Sequence, residues 1–167
     1  MVSEERIYLW TKRKFRDEGW TPLGGDPPRG TDLPRIEIKE PEVTHSLRKN
    51  ANSIINDLVF CREGKIALIE CKDDVRKTDY DVEKLKTLCN NGAWRISLVQ
   101  ALEERSQFQR QEGCLDRQGI VSGDGIVPVL SFPGTPRTDL ENFVQLAFDE
   151  NGEVKVNIGN RIDIVDV

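Results

Sequence analysis

The chain has 167 residues, 37% of them hydrophobic and 32% charged, with a formal net charge of −5. That length suits a single domain, residues 1–167, with a sizeable core, and no apolar run reaches the ~20 residues that a membrane-spanning helix needs. The acid excess lies in residues 139–167, where seven acids face two bases; the first 138 residues balance at 22 against 22. This disfavours a uniformly basic, nucleic-acid-binding surface but leaves room for local basic stretches. "TKRKFR" at 11–16 and "SLRK" at 46–49 are two such stretches, and each alone reads as solvated surface charge.

The opening "MVSEERIYLW" lacks the basic start and apolar middle of a signal peptide, so a cytoplasmic protein without membrane contact is expected. The four cysteines, Cys61, Cys71, Cys89 and Cys114, form no C-x-x-C pair, and His45 is the single histidine. A zinc site is not expected, and reduced, partly buried thiols are.

Residues 3–18 are predicted as a helix, with Ser3 as N-cap, acids in the first turn and Gly19 as the stop. Glu4, Ile7, Tyr8, Thr11 and Phe15 share one face. Glu4 is the odd member, an acid at the end of the face that should meet the core. Residues 20–34 are rich in Pro and Gly and read as a loop. "RIEIK" at 35–39 alternates like a strand, and 40–52 is polar and irregular.

Strands are predicted at 53–61 and 65–72. Thr78 opens a helix that runs to about Asn91, with Val82, Leu85 and Leu88 inward and Gly92 as its stop. Residues 93–100 are predicted as a strand and 101–113 as a helix. Residues 125–132 read as a strand, and 143–159 as a hairpin turning at Asn151 and Gly152. A helix over 138–148 fits the same apolar positions. The expected class is α/β or α+β, with a mixed sheet and flanking helices.

The stretch "NDLVFCREGKIALIECK" at 56–72 carries the chemistry. If Glu63 and Gly64 form a two-residue turn, Asp57 faces Glu70, Val59 faces Leu68 and Cys61 faces Ile66. Lys72 then shares a face with Glu70, and Cys71 points to the other. Facing carboxylates repel and destabilise a sheet unless they are solvated, share a proton or share a cation. Carboxylate oxygens suit Mg²⁺, and a lysine beside the ion could orient a bound water. The plainer alternative is an exposed, salt-bridged strand end. Against it, "KIALIECK" is apolar on both faces until Glu70.

"SIIND" followed by "ALIECK" resembles the PD-(D/E)XK phosphodiesterase (restriction-endonuclease-like) superfamily. Asp57 matches the first acid, Glu70 and Lys72 match the (D/E)-x-K half, and Cys71 is the x. Asn56 stands where the motif has proline, a residue that ligates nothing. The predicted α-β-β-β-α-β order over about 3–100 also fits, with 101–167 as a β-rich C-terminal extension outside the resemblance.

The resemblance implies a metal, Mg²⁺ or Mn²⁺, on Asp57, Glu70 and the Cys71 backbone carbonyl, with Lys72 helping to activate water. It also implies an acid from the first helix, for which Glu4 is the candidate and Glu5 the fallback. A first-turn acid favoured by the helix dipole is the equal alternative for Glu4.

Lys84 and Lys86 read as a solvated helix face that could meet phosphates. Asp73 and Asp74 read as loop acids, and Trp10, Trp20 and Trp94 as core or core-edge residues. His45 carries no assigned role. The implied activity is hydrolysis of phosphodiester bonds, with DNA as the nucleic-acid partner and a homodimer if both strands of a duplex are cut. The C-terminal hairpin would be the dimer contact. The alternatives are an inactive nuclease-like fold acting as a nucleic-acid-binding or assembly module, and a general interaction protein whose acid pair is only surface.

Overall fold

The computed structural model describes residues 1–27, 33–41 and 53–161. His45, the 46–49 stretch, most of the polar 40–52 segment and part of the predicted 20–34 loop lie outside the described residues.

Helix α1 spans Glu4–Asp17, and the Ser3 side chain accepts the Arg6 N–H at 3.2 Å. Glu4 and Glu5 in its first turn and Lys14 and Arg16 in its last suit the helix dipole. Its buried face is Ile7, Tyr8, Thr11 and Phe15, the stripe that the periodicity predicts. Gly19, at φ 85°, turns the chain into β1, Thr21–Gly25.

The sequence predicts a loop there. Strand β1 forms because it is an edge strand that pairs only with β4 (Leu58–Arg62), through a register shift between Pro22 and Gly24. An edge tolerates proline and a bulge. A Cβ at Gly24 would lie 2.6 Å from the Ile36 side chain and 2.8 Å from the Pro34 carbonyl, so this close approach requires glycine.

Strands β2 (Glu37–Ile38) and β3 (Ile54–Ile55) form a separate two-stranded ribbon. The predicted 53–61 strand is therefore two strands in two sheets, broken at Asn56 and Asp57. Strand β5 is Lys65–Cys71. Glu63 at φ 49° and Gly64 at φ 83° both lie in the left-handed region, as a tight hairpin turn requires. The β4–β5 register pairs Val59 with Leu68 and Cys61 with Ile66, as the turn predicts.

A 3-10 turn at Val75–Lys77 leads into α2, Asp79–Asn90, which buries Val82, Leu85 and Leu88. The predicted strand at 93–100 is instead part of α3, Gly92–Glu104. The Asn91 side chain accepts the N–H groups of Ala93 and Trp94, so Asn91 and Gly92 open a helix rather than only closing one. Leu98, Ala101 and Leu102 then bury at helical spacing. Helices α4 (Gln107–Arg110) and α5 (Arg117–Ser122) follow, so the predicted 101–113 helix is split between α3 and α4.

Strands β6 (Ile126–Pro133), β7 (Val144–Phe148) and β8 (Val154–Asn157) complete the chain's regular structure among the described residues. The main sheet has six strands in the order β1-β4-β5-β6-β7-β8. The β5–β6 and β6–β7 pairs are parallel and the others antiparallel, a mixed α+β arrangement. The β7–β8 hairpin forms, not the rival helix. Strand β6 sits beside β5 in the middle of the sheet, so the C-terminal residues build the core rather than extend it.

Helix α1 covers one face of the sheet, against Phe60, Ala67, Ile69, Val127, Val144 and Leu146. Helices α2, α3 and α5 cover the other, over Val59, Ile66, Leu68, Leu130 and Phe132. Each strand alternates between the two, which is why β5 is apolar on both faces.

Cys61 and Cys114 form a disulfide across 53 residues, which corrects the expectation of four reduced thiols; Cys71 and Cys89 are free. Both halves sit beside apolar core, where the sequence offers no spacing signal. Closing a loop of that length is worth about 4 kcal/mol on a chain-entropy basis. Reduction is expected to lower unfolding free energy by about 2–4 kcal/mol. Alkylation of the denatured, unreduced protein should label Cys71 and Cys89 alone. Labelling of all the cysteines before reduction would contradict the bridge.

Candidate active site

The break between β3 and β4 creates the site. Ile55 pairs with β2 and Leu58 with β1, so the backbone changes sheets at Asn56 and Asp57. Side chains take over the ladder there. The Asp57 N–H donates to Glu70 Oε2 at 2.9 Å, and the Cys71 N–H donates to Asp57 Oδ2 at 2.8 Å. The two carboxylates are thus held at the strand ends by backbone N–H groups across the break, Glu70 by Asp57 and Asp57 by Cys71. Within one extended residue, N–H and C=O point to the same strand edge, which puts the Cys71 carbonyl on the Asp57 side.

Glu70 is 1% exposed, and its Oε1 pairs with the ammonium of Lys84 on α2. The sequence puts Lys84 on a solvated helix face; its side chain is 16% exposed and enters the acid cluster. Lys84 Nζ also lies 3.9 Å from Asp81 Oδ1 and 3.5 Å from the Ile55 carbonyl. Asp81, buried and unforeseen, pairs through Oδ2 with Lys72 at 3.7 Å. The signal was present in the sequence: Asp81 and Lys84 interleave with Val82, Leu85 and Leu88 on the buried side of α2.

Glu4 is half-buried, and its charge acts on Asp57, Cys71, Lys72 and Asp81. Glu5, the fallback, is exposed. The structure therefore brings Glu4, Asp57, Glu70, Cys71 and Lys72 together at one end of β5. Asp73 and Asp74 stay in the following turn, paired with Lys77 and Arg76, as loop acids. Lys86 is exposed and pairs with Glu83. Trp20 packs on Phe15 under Arg62, Trp10 on Phe148, and Trp94 against the core. A cleft of about 850 Å³ lies at the turn end of the β4–β5 hairpin near Arg62 and Glu63, away from Asp57 and Glu70.

Burial pushes the Asp57 carboxyl up to about 6; Glu4 and Asp81 add to the rise, and the Cys71 N–H and Lys84 oppose it. Burial raises Asp81 as well, with Glu4 adding and Lys72 opposing. Burial lowers Lys84. For Lys72, burial favours the neutral amine, but Asp81, Glu4 and Asp57 outweigh it and hold its pKa above the usual value. Burial lifts the Cys71 thiol well above its ordinary range, which leaves it a poor nucleophile.

Asn56 is buried, and neither polar atom of its side chain has a hydrogen-bond partner among the described residues. Each such group costs about 1–3 kcal/mol.

Among the described residues no three acid, Cys or His side chains form a ready metal cage. The donors still suit a hard divalent ion: two facing carboxylates and a backbone carbonyl. Glu4, Asp57, Glu70 and Asp81 against Lys72 and Lys84 leave a charge of −2 when all are ionised. Asp57 uses Oδ2 for the Cys71 N–H, which leaves Oδ1 for a ligand. Comparison with protein families, with curated proteins and with solved structures gives no match.

The Asp57 shift has a consequence for stability. A carboxyl whose pKa rises from 3.8 to about 6 on folding holds its proton more tightly in the native state. Its contribution therefore favours folding most below the unfolded pKa and is lost as pH climbs through the folded one. The shift corresponds to about 3 kcal/mol. Asp57→Asn cannot titrate and can still accept the Cys71 N–H. In EDTA, wild-type stability relative to Asp57→Asn is expected to fall by about 2–3 kcal/mol from pH 4 to pH 7. Urea midpoints at each pH measure it; a difference that does not change with pH would contradict the buried-carboxyl account.

Proposed function

We propose that this chain is a metal-dependent nuclease that hydrolyses phosphodiester bonds in DNA. The observation that carries the proposal is the pair of Asp57 and Glu70, interlocked through backbone N–H groups at adjacent strand ends, with Lys72 directly after the end of β5. Asp57, Glu70 and the Cys71 carbonyl would hold Mg²⁺ or Mn²⁺, with Glu4 completing the set. Such an ion, when bound, polarises the phosphate and lowers the pKa of its water.

The chain's own part is orientation and charge. Lys72 is 31% exposed, which lets its ammonium reach a substrate, and Asp81 holds it in place. Its raised pKa keeps it protonated near neutrality, so it serves as a hydrogen-bond donor to the attacking water or to the developing phosphate charge. Cleavage of both strands of a duplex would call for two copies, with the β7–β8 hairpin at the sheet edge as the contact.

One observation favours the second reading, an inactive nucleic-acid-binding or assembly module: Lys84 already neutralises Glu70. A cleavage panel decides between them. Linear duplex, single strands, branched junctions and RNA are incubated with Mg²⁺ or Mn²⁺. Cutting of DNA that stops in EDTA is the expected result. Nucleic-acid binding with metal bound and nothing cut would leave the module reading.

A further inference from the structure

We infer that Lys84 is a built-in counter-ion of the acid pair, which a divalent cation must displace from Glu70 onto Asp81. The inference rests on the metal-site reading above and adds a residue and a movement to it. Both Glu70 oxygens are engaged, Oε2 by the Asp57 N–H and Oε1 by Lys84. A cation shared by Asp57 and Glu70 must approach Oε1, because Oε2 helps hold the strand ends together. A divalent ion and an ammonium on the same oxygen would repel strongly in so buried a place.

Lys84 has somewhere to go. Asp81 Oδ1 lies 3.9 Å from its Nζ, one helical turn back on α2. A lysine stem is long and flexible enough for that step without movement of the helix. Asp81 is itself buried, so the displaced ammonium stays paired. In the metal-free protein, Lys84 on Glu70 offsets the facing carboxylates. With metal bound, Lys84 moves and the ion takes over that task. Metal affinity is then set by competition, and the ion pair and the ion weaken each other by the same factor.

Calorimetric titration with Mn²⁺ tests this on the full chain in wild type, three single variants and one double variant. Lys84→Met removes the competitor and is expected to bind at least about tenfold more tightly than wild type, the scale of a close charge pair. Lys84→Gln is a second, polar variant with the same expectation, should Lys84→Met fold poorly. Lys86→Met makes the same charge change on the exposed side of α2 and is expected to stay within about twofold of wild type, because exposed charges are screened. In EDTA both Lys84 variants should also unfold at lower urea than wild type, since Glu70 is left buried without its partner.

Unchanged Mn²⁺ affinity in both Lys84 variants would overturn the inference while leaving the metal site intact. An equal gain in Lys86→Met would overturn it too, as a general charge effect. Absence of Mn²⁺ binding in every variant, or binding that survives Asp57→Asn combined with Glu70→Gln, would remove the metal site and the inference with it.

Discussion

Glu70→Ala should lose about 3–5 kcal/mol of folding stability in EDTA, the cost of breaking one partner out of a buried ion pair. Glu70 is almost fully buried; it accepts the Asp57 N–H and pairs with Lys84. Its removal takes from Lys84 its nearest counter-charge, leaving only the more distant Asp81 and the Ile55 carbonyl, and leaves the Asp57 N–H without its acceptor. Glu70→Gln keeps an acceptor for the N–H and should recover about 1 kcal/mol of the loss. The contrast with Asp57→Asn is instructive. At neutral pH the Asp57 charge is a burden that asparagine relieves, whereas the Glu70 charge is compensated and needed. Urea unfolding reads both. A loss under about 1 kcal/mol in Glu70→Ala would show that Lys84 finds solvent at little cost.

Lys72→Ala should fold, bind metal and lose cleavage by roughly 10²–10³-fold, the usual effect of removing one donor to developing transition-state charge. Its side chain is partly exposed, and its ion-pair partner among the described residues is Asp81. Lys72→Arg separates two roles. If a protonated ammonium does the work, as the raised pKa argues, arginine keeps the charge and should restore part of the rate. If the lysine must take up a proton, arginine should restore none. Single-turnover rates with metal at saturation distinguish these outcomes, and an undiminished rate in Lys72→Ala would remove Lys72 from the chemistry.

Much of the site was legible because it obeys local rules. The Glu63–Gly64 turn fixes the register of the hairpin, and the register brings Asp57 opposite Glu70. The stripe from Ile7 to Phe15 fixes the face that α1 buries, which places Glu4 toward the acids. What stayed hidden was set by distant partners. Strand β1 exists because β4 needed an edge neighbour, against the preference of its proline and glycines. Residues 93–100 became helix because Asn91 caps it, and a short apolar run cannot by itself distinguish helix from buried strand.

The same holds for charge. Lys84 and Asp81 satisfy each other and their neighbours across elements, so a helical-face reading assigned Lys84 to solvent and did not single out Asp81. The parallel neighbour of β5 proved to be β6, more than fifty residues along the chain, a crossover that no local pattern encodes.

Anomalous diffraction from crystals soaked in Mn²⁺ tests the central claim most directly. The expected result is one Mn²⁺ peak within bonding distance of Asp57 Oδ1 and Glu70 Oε1, with the Lys84 ammonium turned toward Asp81. A peak at another site, or Lys84 still on Glu70 with no Mn²⁺ beside Asp57, would contradict the claim that the interlocked acids are a metal centre.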